Sequence, residues 1–143
     1  MKNLDNIIDE LSAKIKSIGY KKNRLTWYRD KEDITVVFSI QKSLYTPETW
    51  YYLFGICLHE IADGNKHSFS QCQITYRITN VMNNVCLSSE DIVKLLERWD
   101  SMYGDKKLLR MYAIQGKLPG QYTVKAMRYL TSVNLSNIDF HNL

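Results

Sequence analysis

Leu4, Ile7, Ile8, Leu11, Ile15 and Ile18 recur at three- and four-residue intervals, with Asp9, Lys14 and Lys16 filling the positions between. This is the spacing of one buried helix face. Asn3 suits the cap that opens such a helix and Gly19 the left-handed residue that closes it. The period then changes. Arg24–Asp30 reads as a short strand, Lys31-Glu32-Asp33 as a hairpin turn, and Ile34–Lys42 as a strand with Ile34, Val36, Phe38 and Ile40 on one face. A loop around Pro47 leads into Trp50–Ile61, a long aromatic strand expected at the sheet centre because both its faces are apolar. Ala62–Ser68 is a turn, and Phe69–Thr79 alternates again as a fourth strand.

Helical spacing returns at Ser88-Ser89-Glu90-Asp91, a helix start with acids in its first turn. Ile92, Val93, Leu95, Leu96, Trp99, Met102 and Tyr103 form its apolar face, which ends at Gly104. Asp105–Gln115 reads as a further short helix. After the Pro119-Gly120 break, Val124, Met127 and Leu130, extended by Val133, fit a last helix, while Tyr122, Val124, Tyr129 and Thr131 equally suit a strand over 121–131. The order predicts one α+β domain over residues 1–143: an N-terminal helix, a four-stranded antiparallel meander, and C-terminal helices packed on one sheet face.

With 143 residues, 45% hydrophobic and 24% charged, the chain can bury such a core without disulfides or a structural metal. MKNLDNIIDE carries three acids and no apolar core, so no secretory signal is expected. No stretch approaches the ~18 apolar residues of a membrane span. Cys57, Cys72 and Cys86, odd in number and widely spaced, suit reduced thiols in a cytoplasmic protein.

Charge adds a contrast that the net value of +4 conceals. Residues 1–31 hold eight Lys/Arg and four acids, residues 32–104 five and nine, and residues 105–128 six and one. Two basic stretches therefore flank an acidic middle. Lys21, Lys22, Arg24 and Arg29 lie in the first; Lys106, Lys107, Arg110, Lys117, Lys125 and Arg128 lie in the second. Folded together they would suit phosphates or an acidic protein surface; apart, they are ordinary solvated surface.

Candidate chemistry is sparse. Cys57, His59, His67 and Cys72 match no standard metal-ligand spacing, and no metal or other cofactor is expected. No nucleophile elbow, phosphate loop, dinucleotide fingerprint or H-E-x-x-H is present. Gln41-Lys42-Ser43 ends a strand beside a loop carrying Tyr45, Thr46 and Trp50, which gathers amide, cation, hydroxyl and aromatic groups as a recognition surface would. The competing reading makes Lys42 a rim charge and the aromatics core. Of Trp27 and Tyr28, which face opposite sides of a strand, one is expected in the core.

Ile18-Gly19-Tyr20-Lys21-Lys22, Thr26-Trp27-Tyr28-Arg29 and Val37-Phe38-Ser39-Ile40-Gln41-Lys42-Ser43, followed by Arg77-Ile78 and Trp99, resemble a family of small bacterial proteins catalogued as a domain of unknown function. The resemblance covers about residues 4–80. It implies an α+β fold without an established activity, flags Arg29, Gln41, Lys42 and Ser43, and extends to relatives that look like immunity-type proteins. Three functions follow as expectations. The first is a non-catalytic protein-binding module, immunity- or antitoxin-like. The alternative is binding of RNA or single-stranded nucleic acid through the basic stretches. The third is an enzyme in which a partly buried Lys42 activates Ser43.

Overall fold

A computed structural model of the chain describes residues 3–46, 48–82 and 84–132; Pro47 of the expected loop and Val133 of the expected last helix lie outside them. Helix α1 spans Leu4–Ser17 and buries Ile7, Leu11 and Ile15. The Asn3 side chain accepts the Asn6 N–H at 2.9 Å. Gly19, at φ +99°, turns the chain so that the Tyr20 N–H reaches back to the Ile15 carbonyl at 3.4 Å.

Strands β1 (Lys21–Asn23), β2 (Thr26–Asp30), β3 (Ile34–Lys42), β4 (Trp50–Leu58) and β5 (Ile74–Thr79) follow, then a separate small hairpin of β6 (Val81–Met82) and β7 (Val85–Cys86). Helices α2 (Ser89–Tyr103) and α3 (Lys106–Ile114) come next, and strand β8 (Gln121–Tyr122) leads into helix α4 (Val124–Thr131). The main sheet is antiparallel throughout in the order β1-β2-β3-β4-β5-β8. It therefore has six strands where the hydrophobic pattern predicts four.

Both additional strands are short and polar, so alternation gives no sign of them. The expected strand Arg24–Asp30 is cut by a turn in which Arg24 takes φ 58°, and the exposed Lys21–Asn23 folds back on Thr26–Tyr28 as β1. Residues 121–131 are both of the alternatives in succession: Gln121–Tyr122 pairs with β5, and Thr123 then caps α4 by accepting the Ala126 N–H at 3.0 Å. Two strands are shorter than predicted. His59–Ile61 and Phe69–Gln71 each close as a single 3-10 turn at the ends of the connection between β4 and β5.

The two sheet faces are covered differently. Trp27, Phe38, Phe54, Ile56 and Ile74 share one face and pack with Ile92, Leu96, Trp99 and Leu109 of the helices. Tyr28 points the other way, so Trp27 is the core member of that pair, fully buried. The second face carries Thr35, Val37, Gly55 and Cys57, and the connection 59–73 lies across it as a strap. A Cβ on Gly55 would stand 2.6 Å from the Cys72 Sγ and 3.2 Å from the Phe69 ring, so the strap sits where the central strand has no side chain.

Candidate functional site

Three groupings of polar and aromatic side chains stand out. The first joins α2 to the sheet. Tyr20 donates its hydroxyl to Asp100 Oδ2 at 2.6 Å, Lys31 donates to Asp100 Oδ1 and to the Gly104 carbonyl, and Arg29 Nη1 lies 3.7 Å from Asp100 Oδ2. Burial, reinforced by the bond to Asp100, pushes the Tyr20 phenol far above its usual range, so it stays a donor. Tyr20 and Arg29 belong to two of the resemblance motifs, and their common partner Asp100 lies far along the chain. A cleft of about 310 Å³ adjoins Arg29, Glu97 and Ser101.

The second grouping pins the strap. His67 Nε2 lies 2.8 and 2.9 Å from the Asp30 oxygens, and its ring stacks on Tyr28 at 3.7 Å between centroids. Thr35 donates to Asp30 Oδ1 at 2.6 Å and lies 2.7 Å from His59 Nε2. With the Thr35 proton committed to a carboxylate, His59 must donate from Nε2. Partial burial pushes the Asp30 carboxyl up, but the bonds from Thr35 and His67 outweigh it and hold the group below the usual carboxylate range. Cys57 lies under the same strap and Cys72 points inward from it, and burial pushes both thiols up and suppresses the thiolate. Among the described residues, no three His, Cys, Asp or Glu side chains converge as a metal site.

The third grouping is the outer edge of β5. Thr123 N donates to the Gln73 carbonyl at 3.0 Å and Asn80 N to the Trp50 carbonyl at 3.1 Å. Gln73 is split, its carbonyl outward and its N–H on the Ile56 carbonyl of β4 at 3.1 Å; by strand alternation the main chains of residues 75, 77 and 79 face outward and those of 76 and 78 face β4. Strand β8 pairs only with Ile74 and Thr75. Continuing its register would set Pro119 opposite Arg77, but Pro119 has no N–H to give and Gly120, at φ +59°, turns the chain away. Arg77 and Thr79 are thus left without a strand partner among the described residues.

Clefts open on both sides of that edge. On the strap side, about 580 Å³ is bounded by Gln41, Leu53, Phe69, Thr75, Arg77 and Gln121. On the helix side, about 360 Å³ is bounded by Tyr76, Arg98, Trp99, Met102, Tyr103 and Pro119. Tyr76 is 45% exposed and stacks on Trp99 at 6.3 Å, while Trp99 itself is anchored by donating to the Gly55 carbonyl at 3.2 Å. Arg77 lies over the Tyr51 ring at 4.7 Å. Among the described residues neither Arg77 nor Arg98 has an ion-pair partner, and no carboxylate borders either cleft.

The residues singled out from sequence are dispersed. Gln41 borders the strap-side cleft, whereas Lys42, next along β3, turns to the opposite face and is exposed. Ser43 accepts the Tyr45 and Thr46 amides at 3.3 and 3.2 Å as a turn-forming hydroxyl, and Tyr45 is 94% exposed at the loop tip. Gln41, Lys42 and Ser43 therefore form no single constellation, and the partly buried Lys42 that activation of Ser43 requires is not what the fold provides. Lys21, Lys22 and Arg24 line the β1 edge, with Lys22 5.4 Å above Trp27. In the second basic stretch, Lys106 reaches Glu60 at 3.5 Å and Asp33 at 3.9 Å, and Lys125 reaches Asp63 at 3.5 Å. Sequence reasoning passes over Tyr76, Arg77 and Asp100 as site residues, because the outward side of β5 depends on where β8 stops.

The chain belongs to the family Domain of unknown function (DUF4304), which matches residues 11–112. The match runs from within α1 into α3, further into the helical half than the motifs alone reach. No curated protein and no solved structure matches the chain.

Proposed function

Starting from membership of a family that carries no activity in its description, we propose that this protein is a non-catalytic protein-binding module. The supporting observation is the β5 edge: main-chain bonding groups without a strand partner among the described residues, an exposed aromatic stack and two guanidinium groups gathered between two clefts. Such a combination suits recognition of another chain. An immunity- or antitoxin-like role is the finer form of this reading that the resemblance suggests, and the free thiols of Cys57 and Cys72 suit a reducing, cytoplasmic setting. No helix among the described residues is long and apolar enough to cross a membrane. Protein is favoured over nucleic acid because Lys106 and Lys125 of the second basic stretch are engaged by carboxylates, while Lys21, Lys22 and Arg24 line the sheet edge opposite β8.

The test is affinity capture of the tagged full-length chain from native lysate, in parallel with an Arg77→Glu variant. A stoichiometric protein held by the wild type and lost by the variant is the expected result. Equal capture by both, or no stoichiometric protein, refutes the reading.

A further inference from the structure

We propose that the open edge of β5 accepts an extended acidic peptide as an added strand, with carboxylates of the guest meeting Arg77 and Arg98. This deepens the protein-binding reading and rests on it.

The geometry that supports strand addition is specific to residues 76–79. Strand β8 begins the next row of the sheet and covers two residues, since Pro119 cannot donate and Gly120, at φ +59°, departs from the extended conformation. The outward groups of Arg77 and Thr79 are the next rungs of that ladder. A guest strand would bond to both, and its side chains would alternate between the two faces of the sheet. Those on the helix side would enter the cleft of Tyr76, Trp99, Met102 and Tyr103, which suits an apolar or aromatic group. Those on the strap side would enter the cleft of Gln41, Leu53 and Arg77.

Charge selects the guest. Among the described residues, each cleft is bordered by one guanidinium and no carboxylate, and neither guanidinium has an ion-pair partner. Arg77 is already held over Tyr51, so its planar fork is oriented before a carboxylate arrives. A cationic guest would meet like charge on both sides of the edge. The favoured sequence therefore alternates acidic with apolar or aromatic residues.

The test uses the full-length, isotope-labelled chain and a blocked heptapeptide alternating glutamate with valine and phenylalanine. Amides of Arg77 and Thr79 face outward and should exchange quickly in the free protein; those of Tyr76 and Ile78 face β4 and serve as slow internal controls. Added peptide is expected to slow exchange at Arg77 and Thr79 selectively. Binding should weaken at least tenfold when alternate peptide amides are N-methylated and when glutamates become lysines. It should weaken equally with Arg77→Glu or Thr79→Pro, the latter removing an N–H that β4 does not use. Perturbation at the clefts without protection of those two amides overturns strand addition and leaves the binding reading standing. No perturbation at millimolar peptide also overturns it, while the capture experiment judges the broader reading separately. Displacement of the peptide from these amides by oligouridylate would assign the edge to nucleic acid and overturn both.

Discussion

Replacing Asp100 tests whether the carboxylate that gathers Tyr20, Arg29 and Lys31 holds α2 on the sheet. Its side chain is 12% exposed, and Tyr20 is 3% exposed. In Asp100→Ala the buried phenol loses a charge-assisted hydrogen bond, a loss of about 1.5–3 kcal/mol. Lys31 keeps the Gly104 carbonyl at 2.9 Å but loses its counter-charge at a side chain only 30% exposed. Arg29, 48% exposed and 3.7 Å away, adds at most about 1 kcal/mol. The expected total is about 3–4 kcal/mol, within the range for breaking a buried ion pair by removing one partner. Asp100→Asn, which keeps an acceptor but no charge, should lose about half of that. The assay is urea unfolding at neutral pH, with the double-mutant cycle of Tyr20→Phe and Asp100→Asn giving a coupling of about 1 kcal/mol or more. A loss below about 1 kcal/mol for Asp100→Ala, or additivity within about 0.3 kcal/mol in the cycle, would refute the clamp. The consequence reaches the β5 edge, because Trp99, Met102 and Tyr103 flank Asp100 on the same helix.

Three further outcomes are expected. The lowered Asp30 carboxyl ionises more readily folded than unfolded, so its stabilisation is complete above about pH 4 and disappears as pH falls through the lower folded value. The stability gap between wild type and Asp30→Asn should therefore shrink on acidification below about pH 4; a gap that stays constant contradicts the assignment. Gly55→Ala should push the strap off β4, destabilise by about 1–3 kcal/mol and speed iodoacetamide labelling of Cys72 relative to exposed Cys86. Unchanged relative labelling would count against that packing. Gly120→Ala would set a Cβ 2.0 Å from the Thr75 carbonyl at a left-handed backbone position, so β8 should detach and the outward Thr75 amide should exchange as fast as that of Arg77. Persistent protection at Thr75 would disprove the role given to Gly120.

Helices α1, α2 and α3 and the three central strands were legible because each buries a periodic face: Ile7, Leu11 and Ile15 at helical spacing, Val36, Phe38 and Ile40 at a period of two. The Ser88 capping box was visible for the same local reason, with Asp91 reaching back to the Ser88 N–H at 3.0 Å. What stayed hidden depends on contacts distant in sequence. Lys21–Asn23 and Gln121–Tyr122 are strands because a partner's backbone lies beside them, and their exposed side chains record nothing of it. Cys57 belongs to the second apolar face expected of the central strand, and it is buried together with Val37 of β3, but by an irregular strap whose position depends on Gly55. The candidate edge was beyond reach for a further reason: a sheet edge is defined by where a neighbour ends, and Pro119 and Gly120 read from sequence only as a break.

The late arrival of β8 also sets an order of assembly. Strands β1 to β5 are joined in sequence and lie side by side in that order, so each new strand can dock on the one just made. The sixth strand comes from between α3 and α4, and its contacts with β5 close a loop of more than forty residues. During synthesis, therefore, the whole length of β5 emerges before the segment that will cover even part of it. A nascent chain spends that interval with a longer sticky margin than the finished protein, and a slow passage through α2 and α3 would prolong the exposure.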